Sequence, residues 1–213
     1  MKIDFRVYLI TDRKQAPEGD ILRAVAGALD GGVRAVQLRE KDLSGRELYR
    51  LAERMRSLTA GYGALLLIND RADVAKAVGA DGVHLGVLSL PPPEARRLLG
   101  AESLIGCSAH NREELREAEA GGADFVTYGP VFQTPSKAPY GPPVDIPSLS
   151  DACRIAAVPV FALGGIRIIN VDEVIRAGSF GVALISGIVA ARDPRAAAAG
   201  LLESVARSRA ARQ

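Results

Sequence analysis

The stretch AGGADFVTYGP, residues 120–130, joins a helix-like tail to two glycines, a short apolar run and a Gly-Pro end. A helix that stops at a glycine C-cap and turns directly into a buried strand leaves this pattern. Glycine accepts the backbone conformation of the stop, and a strand covered on both faces shows no polar alternation. The pattern recurs in LDGGVRAVQLRE at 29–40, VGADGVHLG at 78–86 and AGSFGVALISG at 177–187. Between these lie VYLIT from Val7, ALLLIND from Ala64, SLIGCSAH from Ser103 and VPVFALGG from Val158, which brings the strands to eight.

Apolar residues spaced three and four apart predict helices over Ile21–Leu29, Gly45–Leu58, Ala72–Val78, Pro93–Leu99, Arg112–Ala120, Ile146–Ile155, Asn170–Ala177 and Pro194–Ala206. Strict strand–helix alternation with continuous apolar strands gives a parallel sheet covered by helices. Eight such units predict an α/β fold, a (β/α)8 TIM barrel in one domain over residues 1–213, near the lower size limit of about 200 residues for that architecture. An open doubly wound sheet would bring a glycine-rich fingerprint after its first strand, where LITDRKQAPEGD has none. The Arg-rich end, from about residue 194, reads as a terminal helix that frays into a tail.

Composition narrows the function classes. Hydrophobic residues at 48% and charged residues at 24% suit a globular chain, and a net charge of +2 with no dense basic stripe argues against nucleic acid as a partner. Cys107 and Cys153 sit in no metal or redox spacing, and MKIDFRVYLITD has neither the length nor the flanks of a signal peptide. A reducing cytoplasm and no membrane partner are the expectations. Homodimerisation stays open.

Barrels of this kind carry their chemistry at the C-terminal ends of the strands. In VQLREKD the two-residue strand period puts Gln37 and Arg39 on one face, with Lys41 just beyond, either as a grip on phosphate or pyrophosphate or as a solvated strand end. Gly164-Gly165 in LGGI and Ile185-Ser186 in ISGI end strands seven and eight, where backbone N–H groups at a short helix start commonly cradle phosphate. Between Gly129 and Asp145 runs a long stretch without helix or strand character. It is either a lid whose Thr134, Ser136 and Lys137 close over a charged substrate or a disordered connection. His84 falls inside strand four, where a hydrogen-bonded structural role is expected. His110 falls at the rim, either as a general acid/base or as the residue before an Asn111–Glu114 capping box.

Together YLITD, VQLREK, LLINDRADVA, ADGVHLG, GCSAHN, GADFVTYGPVFQTPSK, PVFALGGI and GVALISGI resemble the thiamine phosphate synthase/TenI superfamily, in order, from about residue 7 to residue 190. In the synthase branch the resemblance implies that a pyrimidine pyrophosphate ionises and the nitrogen of a thiazole phosphate traps the cation. Gln37, Arg39 and Lys41 then match the pyrophosphate-binding strand end, Asn69 and Asp70 the pair whose Asp binds Mg²⁺, and Ser108 the serine of the SAH motif. Thr134, Ser136 and Lys137 match the hydroxyl-hydroxyl-lysine clamp, and Gly165 and Ser186 the thiazole-phosphate site.

The loop after strand four departs from that pattern. Synthases typically carry Gln, an acidic residue and a second Mg²⁺-binding Asp after HLG, where this chain has Val87, Leu88 and Ser89, and the acidic residue after the clamp lysine is missing as well. The TenI branch resembles this combination. It implies a thiazole tautomerase acting on a phosphorylated thiazole, with His110 and Ser108 catalytic and no metal or other cofactor. A thiamine phosphate synthase using Mg²⁺ at Asp70 is the alternative, and a non-catalytic thiazole-phosphate-binding regulator a second one.

Overall fold

The computed structural model describes residues 3–134 and 143–212. Its strands are β1 (Val7–Ile10), β2 (Ala35–Leu38), β3 (Leu65–Asn69), β4 (Gly82–Leu85), β5 (Leu104–Ala109), β6 (Phe125–Tyr128), β7 (Val160–Leu163) and β8 (Gly181–Leu184). Each pairs in parallel with the next, and β8 returns to β1 with Val7 opposite Val182 and Leu9 opposite Leu184, so the sheet is a closed barrel. The helices are α1 (Ile21–Asp30), α2 (Gly45–Gly61), α3 (Ala72–Val78), α4 (Pro92–Leu99), α5 (Arg112–Ala120), α6 (Asp145–Ile155), α7 (Val171–Arg176), α8 (Ser186–Val189) and α9 (Pro194–Ala210).

Strand parity divides the core into two. Tyr8, Ile10, Ala35, Leu67, Leu104, Phe125, Phe161 and Ala183 point into the barrel and, with Phe5 from below, fill it. Phe5 stacks on Phe161 with ring centroids 5.1 Å apart and meets Phe125 edge-on at 5.7 Å. The alternate residues, Val7, Leu9, Val36, Leu38, Leu66, Ile68 and their equivalents, face outward under the helices. Both faces of every strand are covered, which is why the strands read as unbroken apolar runs.

The glycines that marked the strand entries work as punctuation one residue later than a simple C-cap reading places them in three of four cases. Gly31 and Gly121 cap α1 and α5 in right-handed conformation, and the left-handed turn falls on Gly32 and Gly122, at φ 102° and 85°. Gly178 does the same after α7, at φ 112°, whereas Gly79 caps α3 directly at φ 62°. The last helix runs further than its sequence pattern suggests. α9 continues to Ala210 and buries Ala198, Leu201, Ser204, Val205 and Ser208, so the chain end read as a fraying tail is helical that far. Among the described residues no helix is long and apolar enough to cross a membrane.

Candidate active site

The mouth of the barrel is built from the strand ends, and its floor is polar. Tyr8 of β1, Gln37 of β2, His84 of β4, Ser108 of β5 and Thr127 of β6 converge inside the barrel. Gln37 Nε2 donates to the Tyr8 hydroxyl at 3.2 Å, and that hydroxyl lies 3.4 Å from His84 Nδ1. His84 Nε2 lies 3.1 Å from Ser108 Oγ and 3.3 Å from Thr127 Oγ1. Space for the imidazole comes from Gly106, whose missing Cβ would stand 2.6 Å from His84 Nδ1 and 2.5 Å from the Phe125 ring. Burial holds the His84 pKa down, from 6.5 to about 3, with the nearby Arg39 charge adding to the effect, and burial also raises the Tyr8 phenol. Both side chains are therefore neutral at physiological pH.

Above this floor the cations divide into two sets. Arg13, after β1, is held by Glu40, whose buried carboxylate also accepts from the Arg13 backbone N–H at 3.0 Å and 3.1 Å; Asp42 takes the other side of the guanidinium and Lys14. Arg39 and Lys41, just past the end of β2, make no ion pair among the described residues. Gln37 does not join them. It is 1% exposed and committed to Tyr8, so the face predicted from VQLREKD is split between floor and rim.

Next along the mouth, Asn69 ends β3 and Asp70 follows in left-handed conformation, φ 67°, its N–H donating to the His84 carbonyl at 2.8 Å. Asp tolerates that region better than most residues, and a non-glycine residue held there belongs to a constrained position. Beside it, in the loop after β4, Ser89 Oγ accepts from the Gly86 N–H at 2.8 Å and closes a turn. Val87 is 51% exposed and Leu88 is fully exposed, so the apolar pair stands in solvent.

Across the barrel, Gly164 and Gly165 carry φ 97° and 67°. A Cβ on Gly164 would meet Pro130 Cβ at 2.5 Å, and one on Gly165 would meet Phe132 Cβ at 2.7 Å. Only glycine lets the segment after β6 pack this closely, with Val131 N–H on Leu163 O at 2.8 Å and Phe132 N–H on Gly164 O at 3.1 Å. Thr134 follows in that segment. Ser136 and Lys137 lie outside the described residues. On the adjacent strand, Ile185 precedes α8 and Ser186 opens it, so its first N–H groups have no partners inside the helix.

His110 stands just before Asn111, the N-cap of α5, and is bonded to Glu114. Its N–H and Nδ1 both meet Glu114 Oε2, at 2.8 Å and 2.7 Å, while Asn111 Oδ1 accepts from Glu114 N–H at 2.9 Å. With Arg112, Tyr128, Asp145 and Asp151 it lines an open hollow of 610 Å³ beside the ends of β5 and β6. Arg39, Asp70, Gly165 and Ser186 lie elsewhere, around the mouth itself. What sequence reasoning missed is Tyr8 and Thr127, whose polar ends are visible only once β1, β4 and β6 are arranged in a ring.

Mg²⁺ needs carboxylate oxygens in octahedral arrangement, or a substrate phosphate to supply the rest. Among the described residues no three His, Cys, Asp or Glu side chains cluster to hold a metal ion. Asp12 is engaged by Gln15 and Lys14, and Glu40 and Asp42 by Arg13, which leaves Asp70 as a lone carboxylate at the mouth. The described residues alone do not form a Mg²⁺ cage.

A closed (β/α)8 barrel with a neutral hydrogen-bonding floor, cations without an ion pair among the described residues at the end of one strand, a glycine turn after β7 and a short helix opening after β8 is an enzyme scaffold for phosphorylated small molecules. The chain belongs to the thiamine monophosphate synthase family, which matches residues 7–188. A Geobacter sulfurreducens protein is 57% identical over 201 residues, 94% of each chain, and carries the thiamine-phosphate synthase name with a provisional qualifier. The thiamine-phosphate synthase of Roseiflexus castenholzii is 42% identical over 94% of this chain and 88% of its own. Among solved structures, a thiamine phosphate pyrophosphorylase from Pyrococcus furiosus superposes with a TM-score of 0.87 at 37% identity over 96% of both chains.

These similarities overturn the tautomerase expectation. It rested on Val87-Leu88-Ser89, three positions in one loop, whereas the relatives with the synthase name match over nearly the whole chain. The acid/base expectation for His110 came from its place at the rim as well as from that reading; in the structure its Nδ1 meets Glu114 Oε2 at 2.7 Å.

Proposed function

We propose that this chain is a thiamine-phosphate synthase. It joins a pyrimidine carried on a methylene pyrophosphate to a thiazole phosphate. The methylene C–O bond breaks, the electron pair leaves with pyrophosphate, and the thiazole nitrogen lone pair forms the new C–N bond. No acid or base is needed for that step, which suits a site whose buried histidine is neutral.

The observation that carries the reading is the division of cations after β1 and β2. Glu40 and Asp42 neutralise Arg13 and Lys14, whereas Arg39 and Lys41 make no ion pair among the described residues and are available for the charge that develops on the leaving pyrophosphate. Asn69 and Ser108 line the pyrimidine end. Gly164, Gly165, Ile185 and Ser186 take the thiazole phosphate, and Thr134, Ser136 and Lys137, the last two outside the described residues, keep the clamp role that the resemblance implies. Asp70, a carboxylate at the mouth, would help hold Mg²⁺, which would supply positive charge for the leaving pyrophosphate. The test is incubation of the purified protein with pyrimidine pyrophosphate, thiazole phosphate and Mg²⁺, with thiamine phosphate measured by fluorescence after oxidation. Sustained turnover is expected, and its absence in well-folded protein overturns the reading.

A further inference from the structure

We infer that Tyr8 and His84 are positioning residues whose relay of hydrogen bonds, running from Gln37 through Tyr8 and His84, sets the Ser108 hydroxyl as a donor toward bound substrate. The inference rests on the synthase reading and extends it to two residues that do not touch the reacting atoms.

The direction of the relay follows from counting donors. The Gln37 amide nitrogen can only donate, so the Tyr8 oxygen accepts from it, and the Tyr8 proton must go elsewhere. The acceptor within reach is His84 Nδ1, at 3.4 Å. A neutral imidazole that accepts at Nδ1 carries its proton on Nε2, and that proton points at Ser108 Oγ, at 3.1 Å. Thr127 Oγ1 donates to the same oxygen at 3.5 Å. Ser108 is thus supplied with protons from behind, and its own proton is left to face the mouth, where the half-buried side chain is open. No buried side-chain polar atom is left without a partner among the described residues, so the whole chain of donors is accounted for.

A hydroxyl held as an obligate donor selects for a ligand atom with a lone pair. It cannot serve the thiazole nitrogen that attacks, because that lone pair must stay free. The opposite tautomer, with the proton on Nδ1, would turn Ser108 around, make it donate back to Nε2 and present an acceptor to the ligand. The two states of one buried ring therefore give opposite polarities at the floor, and Tyr8 decides between them.

Two measurements test this. The first is ¹⁵N NMR of histidine-labelled protein, with the two histidines told apart by a His110→Gln variant. His84 should show a protonated Nε2 and an unprotonated Nδ1, unchanged between about pH 5 and 8. The reverse tautomer, or titration within that range, overturns the relay whether or not the protein couples its substrates. The second is a double-mutant cycle on kcat/KM for coupling, with Tm as the check on folding. Tyr8→Phe, which keeps the ring and removes the proton, should lower kcat/KM by about ten-fold, the worth of one hydrogen bond. In a Ser108→Ala background the same change should cost less than about two-fold, since there is no hydroxyl left to orient. An equal loss in both backgrounds would show that Tyr8 only packs the core. Failure of the unmodified protein to couple at all would count against the synthase reading instead, with the tautomer still measured.

Discussion

His84 shows how far a single residue can be read before its surroundings are known. Its place inside an apolar strand pointed to a hydrogen-bonded structural histidine, and the barrel provides those bonds from three other strands. The depth of its burial was not legible, because it depends on the register that sets Gly106 between His84 and Phe125 on three consecutive strands. That burial has a cost in acid. The folded state binds a proton only near pH 3, whereas the unfolded chain binds one near 6.5, so between these values the unfolded state carries more protons. Stability is then highest above 6.5 and falls as pH drops toward 3, by at most about 1.4 kcal/mol per pH unit from this group. Urea unfolding at about pH 5 and 6.5 should show the loss. His84→Gln should flatten it, and a slope that survives the substitution assigns the effect to other groups.

At the scale of elements, the eight strands were legible because burial on both faces erases alternation, and the helices because their apolar stripes keep a period near 3.6 residues. Less legible was what the loops do with their side chains. VQLREKD read as one cationic face, yet the strand sends Gln37 to the floor, Arg39 and Lys41 to the rim and Glu40 outward to capture Arg13. The loop after β4 was misread in weight. Its missing carboxylates are real, but the fold sets them beside Asp70 rather than in place of it. Asn69 is in register with His84, so Asp70 and the Gly86–Ser89 turn end neighbouring strands. Ser89→Asp keeps an oxygen acceptor for the Gly86 N–H and adds a second carboxylate at that edge. The Mg²⁺ concentration for half-maximal coupling should fall by about ten-fold or more, one charge-assisted contact. An unchanged Mg²⁺ dependence would place the ion away from Asp70.

For the whole molecule, closure of the ring is what makes the site. The pairing of β8 with β1 brings Ile185 and Ser186 round to the side of the mouth where Gly164 and Gly165 already stand, although the two ends of the sheet are remote in sequence. Composition and alternation were enough to read the barrel, whereas the position of a ligand inside it depends on contacts across the ring that no local pattern records. A thiazole phosphate bound at the ends of β7 and β8 ties the last strand pair together and should stabilise the closed ring as a unit. At about 100 times its Kd the ligand adds roughly 2.7 kcal/mol. For a chain of this length that raises Tm by roughly 5–10 °C. Inorganic phosphate, lacking the heterocycle, should give a smaller shift at the same concentration. Thermal unfolding with each ligand distinguishes the outcomes: no shift at thiazole phosphate concentrations that saturate coupling would remove the cradle from the ends of β7 and β8.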